Sequence, residues 1–255
     1  DNNIYLYDQK NKKVISFNLN LNLINETVPA VNKGRAIIKI YPMADSNFIY
    51  ELKSFEHFRN EDKDPAKILA QYNSQSESLG NELILYDRPY ARNYISGIPV
   101  GGFEVPYADG QLIEYNNLNK TLLILDTRTN IIAEMNSDFD TLKTIQINLP
   151  TKILNSVEKD SLKAGRSNDE WKSLENLLPE YKAAAKNMMF HNNKIWVETY
   201  LGENHQKWLV LNLSGEVEKI VNLPKESMLM HISDHHLGVR IDDVTFALFE
   251  PVDLN

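Results

Sequence analysis

The chain has no cysteine in its 255 residues. That absence removes disulfides, thiolate nucleophiles and cysteine-type zinc sites together. It leaves the compartment open, because exported bacterial chains and cytoplasmic ones both tolerate it. Cations are also scarce: 27 Lys and Arg face 35 Asp and Glu, giving a formal charge of −8 and a pI near 5.3. Phosphate backbones are bound by Lys and Arg clustered on one face, so this balance argues against nucleic acid as a partner. No apolar run approaches the ~18 residues of a membrane span. Ten glycines serve the whole chain, and the turns are rich in asparagine instead. There is no Gly-x-Ser-x-Gly elbow, no Gly-x-x-x-x-Gly-Lys and no Gly-x-Gly-x-x-Gly, so nucleophilic acyl transfer, P-loop phosphate binding and dinucleotide binding lack their motifs. Ser96-Gly97 and Gly101-Gly102 read as a turn. Residue 1 is Asp and no charged-then-apolar leader follows it, which reads as a processed product or a fragment.

What is present is a β pattern carried by 42% apolar residues, enough for a sizeable core. The stretch Lys194 to Asn222 shows it most clearly. Ile195, Val197 and Thr199 alternate with Trp196, Glu198 and Tyr200; a polar turn over Leu201 to Gln206 follows; Trp208 to Leu213 resumes; and Ser214-Gly215 turns the chain into Val217 to Val221. Three short antiparallel strands of this kind cannot bury both faces alone and must stack on copies of themselves. Asn3 to Asp8 and Val14 to Phe17 predict a hairpin, and Asn47 to Leu52 echoes Asn3 to Leu6 at a spacing of 44 residues. Further strands are expected at Ile37 to Ile40, Ile68 to Tyr72 and Leu83 to Tyr86, with the charged segment Arg59 to Lys67 as a surface loop. An entry strand through Phe103 is expected to open a unit that continues through the turn Ala108-Asp109-Gly110 into Gln111 to Tyr115, Leu122 to Leu125 and Thr144 to Asn148. Gly110 and Asn193, taken as equivalent turns, lie 83 residues apart, about twice a ~42-residue propeller blade.

Ser156 to Lys186 breaks this pattern. Ser167 and Glu170 have capping-box spacing, Trp171, Leu174, Leu177 and Leu178 share one face, and Pro179 ends the helix. Such a stripe faces a core more often than a partner, so this helix is expected on the side or rim of the β structure. Ala183-Ala184-Ala185 suggests a further helical turn. The chain then ends in a three-stranded unit, Met228 to Ile232, Leu237 to Ile241 and Thr245 to Phe249, stopped by Pro251. In a closed propeller the missing strand comes from the other end of the chain.

At Leu178-Pro179-Glu180-Tyr181, Lys194 to Val197, Val210 to Gly215, Val221 to Pro224 and His236 to Asp243, the sequence resembles the bacterial six-bladed β-propeller proteins of the NHL-like and TolB-like kind, common as exported proteins in Bacteroidetes. Ala108-Asp109-Gly110 with Leu122 to Asp126 resembles the preceding blade. The likeness covers residues 100 to 250 well and residues 1 to 99 loosely, and the Asn-rich turns depart from the glycine-rich ones of the family. It implies an all-β fold: a single propeller domain over residues 1–255, six-bladed in its complete form, with about five blades evident and a helical insertion near 156–186. The N-terminal blades and a lipid anchor are expected ahead of residue 1, and the location is the bacterial periplasm or outer cell envelope. The resemblance carries over no catalytic residue.

The densest set of metal-ligand types is His231, Asp234, His235 and His236, followed by Asp242 and Asp243. Imidazole and carboxylate suit zinc when three or four converge, yet adjacent histidines at a turn point apart and no His-Glu-x-x-His helix exists. Asp62, Asp64, Asp138 and Asp140 are oxygen donors for calcium, but none lies in an Asp-x-Asp-x-Asp-Gly pattern. Solvated turn residues are the expected account, and no cofactor is expected. The three Asn-x-Ser/Thr sites, at Asn25, Asn119 and Asn212, would matter only in a eukaryotic secretory pathway. Trp196, Trp208, Tyr200 and Tyr115 are expected to fill the space between blades. Binding residues concentrate on loops held by a rigid scaffold, so the segments Arg88 to Asn93, Leu201 to Gln206 and Ser233 to His236 come first, with Arg88, Tyr90, Arg92, Asn204, His205 and Trp208 as candidates. The function expected is display, with rim loops recognising a protein, peptide or glycan. The alternative is a calcium-dependent lactonase or esterase using the propeller channel.

Overall fold

The computed structural model of the chain describes residues 3–29, 31, 35–43, 47–56, 64–73, 76, 78–95 and 98–250. Asp62 and most of the charged segment around it, the Ser96-Gly97 turn and Pro251 lie outside the described residues. The fold is all-β and of the propeller type, with five successive blade-like antiparallel sheets, one separate hairpin and two short helices among the described residues. The chain forms two compact units: Asp1–Asp87 with Leu118–Thr121 and Asn136–Asp140, and Arg88–Asn117 with Leu122–Met135 and Thr141–Asn255.

In the first unit, β1 (Asn3–Asp8), β2 (Lys13–Asn18) and β3 (Leu23–Thr27) form a three-stranded sheet. A four-stranded sheet follows: β4 (Arg35–Pro42), β5 (Asn47–Ser54), β6 (Ala66–Asn73) and β7 (Ser78–Tyr86). β1 leads into two more strands as β5 does, so the 44-residue echo links equivalent strands of neighbouring meanders. β5 is buried on both faces, because its apolar run Phe48-Ile49-Tyr50 leaves no polar side to show to water. Its core is aromatic: Tyr50 stacks on Tyr72 with ring centroids 4.8 Å apart, and Tyr5 meets Phe48 edge-on at 5.1 Å.

The second unit opens with a hairpin, β8 (Tyr90–Ile95) and β9 (Ile98–Glu104). Phe103 therefore belongs to this separate sheet, and does not open the next blade. That blade is β10 (Gln111–Asn116), β11 (Thr121–Asp126), β12 (Ile131–Met135) and β13 (Thr141–Gln146). After the helices α1 (Ser156–Lys163) and α2 (Asn168–Glu175) come β14 (Asn187–His191), β15 (Lys194–Thr199), β16 (His205–Leu211) and β17 (Val217–Pro224), and then β18 (Met228–Ile232), β19 (Leu237–Arg240) and β20 (Phe246–Phe249). Leu123, Leu125 and Ile132 of one blade pack on Ile195, Val197, Leu209 and Leu211 of the next. Each such side chain contributes roughly 1.5–3 kcal/mol on burial.

Two further sequence expectations change here. Gly110 precedes the first strand of its blade whereas Asn193 lies between the first and second of its own, so the two are not equivalent turns. The matching starts are Gln111 and Asn187, 76 residues apart (187 − 111), and they belong to consecutive blades separated by the helical insertion. The two-residue turn Asn192-Asn193 takes φ of 46° and 57° between the paired His191 and Lys194, which is how asparagine replaces glycine in a tight hairpin. Ala183-Ala184-Ala185 is not helical: it is a buried irregular link with a bend at Ala184, stitched by Ala183 N–H to Tyr107 O (2.7 Å) and Lys186 N–H to Glu198 O (2.7 Å). Tertiary hydrogen bonds there override alanine's helix propensity. The C-terminal sheet, β18 to β20, is three-stranded, as its sequence indicates.

Helix α2 is built as its sequence indicates. Ser167 Oγ accepts from Glu170 N–H and Glu170 reaches back to Ser167 N–H, while Trp171 and Leu174 pack on Ala91, Val105 and Ala108 beside the β8–β9 hairpin. α1 carries the same box, Asn155 with Glu158, but buries no residue of its own.

Candidate functional site

An open cleft of about 710 Å³ lies in the second unit, where the helical insertion meets the β15–β16 end of its blade. The link between β9 and β10 supplies Tyr107; helix α1 supplies Glu158 and the segments flanking the helices supply Lys152 and Lys182; and the blade supplies Glu198, Tyr200, Glu203, His205 and Lys225. Backbone bonds hold these pieces together. Lys182 N–H donates to Lys152 O (2.9 Å), Leu154 N–H to Glu180 O (3.0 Å) and Ala183 N–H to Tyr107 O (2.7 Å), so a short ladder places Lys182 beside the β9–β10 link.

Tyr107 has φ of 63°, the left-handed region that a bulky side chain rarely adopts. Such strain, on the order of 1–3 kcal/mol, persists only where the surroundings over-determine it. Here the Tyr107 ring meets Tyr200 edge-on at 5.0 Å, and Lys182 Nζ sits 4.9 Å over the ring centroid. Lys182 is only 4% exposed and pairs with Glu158 Oε1, whose second oxygen accepts from Asn155 N–H at 3.2 Å. Lys186 Nζ donates to Glu198 Oε1 at 2.6 Å, which neutralises a carboxylate buried in mid-strand, and Lys152 pairs with Glu203 at 3.1 Å. Burial raises the Tyr107 hydroxyl above the usual phenol range, with the Glu158 charge adding to it. Burial also raises Tyr200, against the opposing pull of Arg88 and together with Glu198 and Tyr107. Both phenols stay protonated. Gly202 closes the β15–β16 loop, where a Cβ would lie 2.0 Å from His205 O.

Of the sequence candidates, His205 opens β16 and lines this cleft, and Arg88 adjoins it by donating to Lys186 O at 3.2 Å. Asn204 is exposed in the neighbouring loop. Tyr90 and Arg92 are strand residues of β8, not loop residues, and the Tyr90 hydroxyl donates to Gly102 O. Trp208 is no loop residue either: it lies in β16, is 1% exposed and packs with Trp196, Leu229 and Val239, so it fills the space between blades and is closed to a rim ligand.

The metal candidates do not converge. Asp234 Oδ1 binds His191 Nε2 at 2.9 Å and accepts from Asn192 Nδ2 at 3.2 Å; His236 exchanges backbone hydrogen bonds with Ser233 Oγ; His231 lies on β18 and His235 in the turn. Asp242 Oδ1 caps its own turn through Val244 N–H and Thr245 N–H. Asp138 accepts from Gln71 and Asp140 from Asn136. Among the described residues no three His, Asp or Glu side chains are placed to share an ion, so the donor set fits neither zinc nor calcium there.

Sequence reasoning missed Tyr107, Lys182, Glu158 and Glu198. The available signals were a tyrosine directly ahead of the Ala108-Asp109-Gly110 turn and a lone lysine at the head of the alanine run.

No family model and no curated protein matches the sequence. Among solved structures, the chain is similar to a protein of unknown function from Bacteroides caccae (12% identity, TM-score 0.41, covering 93% of this chain and 66% of that one). It is also similar to a streptogramin B lyase (9%, 0.40, 98% and 80%) and to regucalcin, a calcium-binding protein from Agrobacterium tumefaciens (11%, 0.28, 95% and 80%). This chain thus spans 66% of the first neighbour's length. Likenesses this distant say nothing about activity.

Proposed function

We propose that this chain is a non-catalytic binding module, exported to the bacterial cell envelope and six-bladed in its complete form, which recognises a polar chain-like partner in the Tyr107–Tyr200 cleft. One observation carries the reading: every carboxylate lining the cleft is already matched to a lysine, Glu158 to Lys182, Glu198 to Lys186 and Glu203 to Lys152. A general base or a metal site needs free carboxylates or imidazoles that converge on one atom. Carboxylates engaged in this way hold a recognition surface rigid. The location rests on the family likeness of residues 100 to 250.

The test is site-specific photo-crosslinking in cells from Val157 and Glu203, exposed positions on the cleft, with the exposed Val217 on β17 as the control. One discrete adduct from both cleft positions and none from Val217 is expected. Equal yields from all three positions, or turnover of a lactone and ester panel with added calcium, would overturn the reading.

A further inference from the structure

The cleft's hydrogen-bonding groups are unbalanced, and the imbalance names a ligand class. Its three carboxylates are engaged: Glu158 by Lys182 and Asn155 N–H, Glu198 by Lys186, Glu203 by Lys152. Several of its donors are not. The Tyr107 and Tyr200 hydroxyls and the Lys225 ammonium have no hydrogen-bond or ion-pair partner among the described residues, and the His205 ring likewise faces the cleft without one. Buried Lys182 has three N–H donors and a single carboxylate oxygen to receive them. Four lysines against three glutamates leave one positive charge in excess, in a chain whose overall charge is −8. A phenol O–H and an ammonium group both donate, so the partner they lack inside the protein is an acceptor, and the open cleft leaves them to water until one arrives. An oxygen-rich anion completes such a surface, and charge-assisted bonds to it are the stronger kind.

We infer that the cleft binds the carboxylate of an acidic peptide segment, held by the Tyr107 and Tyr200 hydroxyls and the Lys225 ammonium. This rests on the cleft being the recognition site proposed above. A sugar acid is disfavoured by the aromatic geometry. A pyranose packs on an open ring face, whereas the Tyr107 ring already carries the Lys182 ammonium over it and Tyr200 set edge-to-face against it.

The test compares three probes on the 255-residue protein by calorimetry and by amide shifts over the cleft: hexapeptides with central Asp or Glu, the same peptides with Asn or Gln, and oligogalacturonate. Acidic peptides are expected to bind at least about tenfold tighter than their amide counterparts, with shifts at Tyr107, Tyr200, His205 and Lys225. The double variant Tyr107→Phe with Tyr200→Phe keeps both rings and removes two unpartnered hydroxyls, so it should fold as before and lose about tenfold in affinity. Lys225→Gln, at an exposed position, should weaken binding several-fold and flatten its salt dependence. Equal binding of acid and amide peptides in the cleft would overturn the carboxylate inference while leaving the recognition site standing. Tighter binding of oligogalacturonate would overturn the peptide assignment alone. Shifts outside the cleft for every probe would overturn both readings.

Discussion

One core of the first unit is built around aromatic rings and one core of the second around aliphatic side chains, and the difference shows two ways of filling the space between sheets. In the first, Tyr50, Tyr72 and Phe48 bring hydroxyls and ring faces into the core, and the Tyr50 hydroxyl is buried without a partner. Burial drives the Tyr50 hydroxyl well above the usual phenol range. In the second, Leu123, Leu125, Ile195, Val197, Leu209 and Leu211 meet with no polar atom among their side chains. Aliphatic interdigitation needs nothing more than shape, whereas a buried phenol also needs an acceptor. All three tryptophans, Trp171, Trp196 and Trp208, belong to the second unit, so tryptophan fluorescence reports on that unit alone.

The contrast is testable from its strongest consequence down. Leu125→Ala empties a fully buried site between two blades and should cost about 3–5 kcal/mol in denaturant unfolding followed by tryptophan fluorescence. A loss below about 1 kcal/mol would show that the blades do not interlock there. In the first unit, Tyr41→Phe removes a buried hydroxyl that donates to Glu51 Oε2 at 2.7 Å, and about 2 kcal/mol should go with it by far-UV circular dichroism melts. The second unit's helix should respond less. Ser167→Ala removes one half of the α2 capping box, at about 1 kcal/mol, visible as earlier loss of the Trp171 signal in urea.

Acid should reach the same cap. Hydrogen bonds from Ser167 hold the Glu170 carboxyl below the usual carboxylate range, with Arg166 adding to the effect. A carboxyl lowered in the folded state stabilises it above its unfolded pKa of ~4.3 and loses that contribution as pH falls through the folded value. Trp171 fluorescence should therefore begin to change below about pH 4 in the native protein and show no such step in Glu170→Gln. Smallest of all, Tyr50→Phe deletes a hydroxyl with no partner. It should leave stability unchanged or raise it by up to about 1 kcal/mol. A marked loss would mean that this hydroxyl has an acceptor and that the two cores differ less than described.

Much of this fold is legible from alternation and capping alone. Ile195 to Thr199 reads as a strand by alternation and Trp208 to Leu213 as the strand resumed after a polar turn, and the structure has strands over Lys194–Thr199 and His205–Leu211. Ser167 with Glu170 marked α2, since an apolar stripe followed the box. Asn155 with Glu158 has the same spacing and caps α1, but that helix buries nothing, so no stripe drew notice to it. β12 escaped for a related reason: Ile131, Ala133 and Met135 are only partly buried, and the signal of one short strand beside β11 is weak.

Local chemistry determined where strands alternate, where turns fall and which helix is capped, because each depends on residues a few positions apart. Tertiary structure alone decided that Ala183 to Ala185 are not helical, that Trp208 is closed to ligands, and that Tyr107, Lys182 and Tyr200 share a cleft. These three residues lie 75 and 18 positions apart in the chain (182 − 107 and 200 − 182). Only the hydrogen bonds of the helical insertion to the β9–β10 link and to β15 bring them within contact, and no local propensity encodes a pairing over that distance.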